Sequence, residues 1–128
     1  MQKESLKYIS DVLASVGIPY EYDTFNSSIE YLTRYWTGEY QEIVPSSEDG
    51  LAETEFILTG CAKEDILVLE NDKETIKQLF PQIGGNRAIL DNESGVAIFY
   101  EYALPVPTGN DFIKKMQINL IIKEWMVN

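Results

Sequence analysis

Between Glu4 and Val16 the apolar residues Leu6, Ile9, Leu13 and Val16 recur at helical spacing, and Val12 widens the stripe. That spacing predicts an amphipathic helix, stopped by Gly17 with Pro19 just beyond. The period then changes. "IPYEYDTF" (18–25) reads as a short extended piece and "NSSIEY" (26–31) as a turn. From Arg34 to Val44 aromatic and β-branched residues alternate with polar ones up to Pro45, the pattern of a strand. "SSEDGL" follows as a solvated loop. Thr54 to Cys61 reads as a second strand, with Phe56, Leu58 and Gly60 on one face and Ile57, Thr59 and Cys61 on the other. Both faces are partly apolar, so this strand is expected to be central, with Cys61 a small hydrophobe of the core.

A second helix is expected within Asp65 to Phe80, closed by Pro81, and its start has two readings. Asn71 with Glu74 makes a possible capping box, whereas Ile66, Leu69, Ile76 and Phe80 fit a longer helix. The last third reads as three strands, "RAILD", "GVAIFYEYALPV" and "KMQINLIIKEWMV". Asp91 to Gly95, rich in residues that tolerate positive φ, makes the first two a hairpin, and "PVPTGND" is a longer connection because its two prolines cannot both serve a ladder. The expected fold is therefore α+β: an antiparallel sheet of about five strands with two helices packed on one side. At 128 residues, 45% hydrophobic and 24% charged, the chain is read as a single domain, 1–128, with an ordinary core.

Charge and missing residue types narrow the chemistry. With 21 acidic residues against 10 basic the formal charge is −11, and the basic residues are dispersed except for Lys114-Lys115, so sequence-specific nucleic-acid binding is not expected. No window approaches the length of a membrane span, and no export signal is expected at the N-terminus. The single cysteine, Cys61, excludes an intramolecular disulfide and suits a reducing cytoplasm. The chain contains no histidine, which removes every Ser-His, Cys-His and histidine-metal arrangement. Glu39 with Glu42, or Glu53 with Glu55, could be proposed as a glycosidase pair, but carboxylates at such spacings on strands ordinarily flank solvent. "SSEDG" and "DNESG" lack the ligand spacing of a calcium loop and read as turns. "QIGGNR" has no following Lys-Ser/Thr, and its glycines are expected to let the chain reverse after Pro81. No catalytic residue, cofactor or metal is expected.

The aromatics remain. Tyr31, Tyr35, Trp36 and Tyr40 crowd the first long strand, and Phe99, Tyr100, Tyr102 and Trp125 lie on later ones. Some must be core. The rest fit a protein interface, where Tyr and Trp are enriched.

"RYWTGEYQEI", "SSEDG", "EFILTG", "IKQLF", "AILDNESGVAIFYEYALPVPTGN" and "KMQINLIIKEWMV", in that order, resemble the small tail-completion or tail-terminator proteins of tailed phages and prophages of Gram-positive bacteria. The resemblance spans roughly Tyr20 onward and contains no catalytic signature. It implies a structural α+β protein that assembles into a ring, hexameric in the family, at the tail end or head–tail junction. Its implied partners are further copies of itself and other tail or head–tail connector proteins. Its implied location is the host cytoplasm during assembly and then the virion tail. A ring needs two different surfaces that meet. Local physics nominates Tyr35, Trp36, Gly38, Glu39 and Tyr40 on the first long strand, where Gly38 leaves a gap between two rings, and Pro105, Pro107 and Gly109 in the later connection. The competing readings are a small acidic inhibitor that mimics DNA and, more remotely, a carboxylate hydrolase.

Overall fold

The computed structural model describes residues 1–22, 34–44, 51–63 and 65–125, with the side chain of Val44 excepted. The order of elements is α1 (Lys3–Ser15), β1 (Tyr20–Tyr22), β2 (Arg34–Val44), β3 (Leu51–Lys63), α2 (Ile66–Leu79), β4 (Asn86–Ile89), β5 (Gly95–Val106) and β6 (Ile113–Trp125). The expectations for 23–31, for the loop "SSEDG" and for the last residues of "KMQINLIIKEWMV" lie outside the described residues.

α1 ends as its sequence requires. Gly17 adopts φ 74°, its N–H donates to Ala14, and the Ile18 N–H donates to Leu13, a Schellman closure that brings Ile18 and Leu13 together in the core. For α2 the longer reading holds. Asp65 caps it, its side chain accepting from the Leu67 N–H at 2.9 Å, and the helix runs to Leu79 before Pro81. Gly84 and Gly85 take φ 86° and 68° and reverse the chain into β4, as the sequence predicts.

The sheet has six strands in the order β1-β2-β3-β6-β5-β4. The α+β class and the antiparallel pairing of β2 to β6 agree with the sequence, and β3 is interior. The sheet is nevertheless mixed, because β1 adds a sixth strand parallel to β2, with Tyr20 opposite Trp36 and Tyr22 opposite Gly38. A parallel neighbour needs a long connection, and residues 23–33 supply one. The extended piece expected within "IPYEYDTF" is therefore present at Tyr20–Tyr22, but three residues carry no signal that would give its parallel pairing to β2.

Both helices lie on the face carrying the even-numbered residues of β2, β3 and β6. Trp36, Phe56, Leu58, Ile118, Leu120 and Ile122 are fully buried there against Ile9 and Leu13 of α1 and Leu69 and Ile76 of α2. One charged residue joins them. Glu124 is fully buried, and its Oε2 accepts from Ser5 Oγ at 2.6 Å and from the Gln2 N–H at 3.2 Å, a carboxylate at the positive end of α1.

Candidate self-association site

Among the described residues, helices cover one face of the sheet only. On the other face the register lines up side chains in rows: Tyr35, Cys61, Lys115 and Val106; then Thr37, Thr59, Gln117 and Leu104; then Glu39, Ile57, Asn119 and Tyr102; then Gln41, Glu55, Ile121 and Phe99. An uncovered antiparallel sheet is ordinarily polar on its solvent side. This one is not. Tyr102 is 43% exposed, Trp125 41% and Leu104 38%, and Ile89 at the β4 edge reaches 77%. Trp125 and Ile89 line an open groove of about 650 Å³ with Arg87 and Val96.

A β-bulge shapes this face. Tyr100 is opposite Leu120, and Tyr102 is opposite Asn119, so Glu101 is the extra residue. Strict alternation would place Tyr100 and Tyr102 together. The bulge sends Tyr100 toward the helices, where the Lys77 ammonium lies 5.3 Å from its ring centroid, and Tyr102 to the uncovered side.

Glu101 itself meets Glu55. Burial, then the Glu55 charge and a hydrogen bond with that carboxylate, then Glu53, push the Glu101 carboxyl above its ordinary value. Asn119 Nδ2 donates to Glu55 Oε1 at 2.6 Å and Gln117 Nε2 donates to Asn119 Oδ1 at 2.8 Å, so Glu55 is held by a chain of amides. A raised folded-state value means that stability is fully present below the ordinary glutamate range and is lost as pH rises through the folded value. Glu101→Gln, whose amide can donate to Glu55, is expected to raise the thermal midpoint at pH 7 and to leave it nearly unchanged at pH 4. Calorimetry across that interval checks this, and a difference between variant and wild type that does not grow with pH would overturn it.

The nominated residues separate into two groups. Trp36, Gly38 and Tyr40 point toward the helices, and their role as a contact surface is corrected accordingly. Trp36 is fully buried, and its Nε1–H donates to Asp72 Oδ2 at 2.8 Å. The gap at Gly38 is filled from within: a Cβ there would lie 2.5 Å from Tyr20 Oη and 2.6 Å from Phe56 Cζ. Tyr40 is partly buried near Tyr22, their ring centroids 6.1 Å apart. Tyr35 lies on the uncovered face but is only 6% exposed, beside Cys61. Glu39 is exposed.

Pro105, Pro107 and Gly109 do come together. With Ile113, Lys114 and Lys115 they line an open groove of about 430 Å³ at the β5–β6 end of the sheet. Cys61 is half-buried on the uncovered face and not in the helix-covered core, because Gly60 and Ala62 take the inward positions of β3. Burial pushes its thiol up, partly offset by Lys115 and by a hydrogen bond with Tyr35.

The sequence singles out neither Ile89 nor Leu104, and it gives Tyr102 and Trp125 only within the set of aromatics shared between core and interface. "YEYAL" alternates like any strand, and only the bulge decides which rings face outward. Among the described residues no group of three or more acidic or cysteine side chains is placed to hold a metal ion, and no helix is long and apolar enough to cross a membrane. No protein-family model matches the chain, and no curated protein matches it significantly.

Proposed function

We propose that the protein is a structural, self-assembling component of a phage or prophage tail, of the tail-completion or tail-terminator kind, and that it performs no catalysis. In this reading copies assemble as a ring, six being the number the resemblance implies. The ring sits at the tail end or head–tail junction and contacts other tail or connector proteins. The observation that carries the self-assembling part is the uncovered sheet face, which keeps Tyr102, Leu104, Trp125 and Ile89 in solvent where a free-standing antiparallel sheet would carry polar residues. The specific place in a tail rests on the sequence resemblance.

Two measurements test it. Sedimentation of the purified 14.6 kDa chain should give a concentration-dependent mass several times that of the monomer. Tyr102→Asp with Leu104→Asp should weaken association by about a hundredfold or more while leaving the far-UV spectrum unchanged, because each change places a charge where about 1.5–3 kcal/mol of apolar burial would be gained. Electron microscopy of tail tubes with an open end should then show the wild-type protein capping that end. A protein that stays monomeric at every concentration and leaves tube ends bare would overturn the proposal.

A further inference from the structure

Two apolar features stand at opposite ends of the β5–β6 hairpin. One is its tip, residues 107–112, whose conformation is fixed from within. Gly109 takes φ 72°, and the Thr108 hydroxyl accepts from the Asn110 N–H at 3.1 Å and lies 2.8 Å from the Asn110 and Ile113 carbonyl oxygens. Asn110 Oδ1 accepts from the Phe112 N–H at 2.9 Å, and the Asn110 carbonyl accepts from the Ile113 N–H at 3.1 Å. This framework holds Phe112 in water, 69% exposed and outside the core, next to the exposed Ile113. A ring already held in place loses little freedom when a partner covers it. The other feature is the groove over the β4–β5 ladder, walled by Trp125, Ile89 and Arg87 with Gly95 between them. Ile113 and Trp125 are twelve positions apart on β6. At about 3.3 Å per residue that is roughly 40 Å, so the tip of one copy does not reach its own groove.

We infer that Phe112 of one copy seats in the Trp125–Ile89 groove of the next, a head-to-tail contact between two different surfaces. This rests on the self-assembly reading and specifies its contact. The occupant follows from what each surface lacks. Gly95 leaves the floor of the groove open beside the Trp125 indole, a site for an apolar ring, and the tip of every further copy presents one. The charges around the two surfaces match locally. Asp111, adjacent to Phe112, enters a groove whose wall carries Arg87, with Lys123 next in the same row, and Lys114 finds Glu93 at the groove margin. None of these five side chains forms an ion pair of its own among the described residues. From the tip the apolar surface continues through Val106, Leu104 and Tyr102 along the uncovered side of β5, the face that the self-assembly reading already uses. Because tip and groove differ, any open assembly ends in one free tip and one free groove, and growth continues until a ring closes.

One variant of each surface tests the contact. Phe112→Asp removes the knob from an exposed tip. Gly95→Leu fills the groove: a Cβ at 95 meets Trp125 Cε3 at 3.6 Å, an ordinary contact, and Gly95 has no positive φ to lose. Circular dichroism checks that both fold, and Ile89→Asp, at a side chain mostly in solvent, replaces Gly95→Leu as the groove variant if that chain does not. Each variant alone should lose self-association by at least about a hundredfold in dissociation constant, because every copy then lacks the same half of the contact. An equimolar mixture should behave differently from either. The intact tip of the groove variant meets the intact groove of the tip variant, and the two surfaces left over are both defective, so the product is a 1:1 pair and nothing larger. Native mass spectrometry and sedimentation, carried to about a hundredfold the concentration at which the wild type assembles, read this out. A folded variant that assembles like the wild type, or a mixture that stays monomeric or grows beyond the pair, would overturn this contact and leave self-assembly standing. A wild type that is monomeric at every concentration would overturn both.

Discussion

Trp36→Ala is expected to destabilise the protein by about 3–5 kcal/mol, the range for truncating a fully buried large aromatic residue and a large share of the stability of a chain this size. Trp36 is fully buried, and its neighbour across the ladder is Gly60, where a Cβ would lie 2.7 Å from three atoms of the indole. The ring thus occupies the space that a side chain at 60 would use, and Gly60 itself has no side chain to fill the void. The substitution also removes a hydrogen bond to buried Asp72, leaving that carboxylate with Arg34 Nε, which donates to Oδ2 at 3.0 Å. Trp36→Phe keeps most of the volume and loses the N–H, so it should cost about 1–3 kcal/mol. Urea unfolding followed by fluorescence of the remaining tryptophan, Trp125, and by circular dichroism measures both. A loss below about 1 kcal/mol for the alanine variant would show that the indole is not a core element.

The second large effect is at Gly38. Gly38→Arg should abolish folding at ordinary temperature and so should appear as an insoluble or unfolded chain, not as a folded monomer. The inward side of β2 at this point is closed by Tyr20 Oη and the Phe56 ring, both within contact distance of a Cβ. A guanidinium there would have to displace Phe56, itself fully buried, and would lie in the core without a carboxylate partner. Even Gly38→Ala should cost about 1–3 kcal/mol through overpacking. Solubility and near-ultraviolet dichroism decide the arginine variant. If Gly38→Arg folds as well as the wild type, β2 does not pack inward as described.

The elements with a strong local period were legible. α1 is announced by Leu6, Ile9 and Leu13 and ended by Gly17, whose positive φ is the reason glycine stands there. The β4–β5 turn is announced by "DNESG": Asn92 Oδ1 accepts from the Ser94 N–H, and Glu93 takes φ 69°. The connection "PVPTGND" was legible as well: β5 ends at Val106, although Pro105 still pairs with Met116 and only Pro107 falls outside the ladder. β1 was legible only as a short extended piece, since the partner and direction of three residues are set by the strand beside them.

Sequence alone determined the types of element, their order, the acidity of the surface and the absence of histidine chemistry, because periodicity and composition are local quantities. Which face of each strand turned inward was decided only in three dimensions. "YWTGEY" offers aromatic rings on both faces, and the choice of Trp36 over Tyr35 for the helix-covered core depends on Gly60 and Asp72, residues distant in the chain that supply the space and the hydrogen-bond acceptor. The same holds for Tyr102 and Leu104. Their outward direction comes from a single inserted residue, Glu101, whose effect on parity appears only once β5 is paired with β6. Pairing and packing between distant segments fix the direction of a side chain, and a surface formed by such directions exists only in the folded sheet.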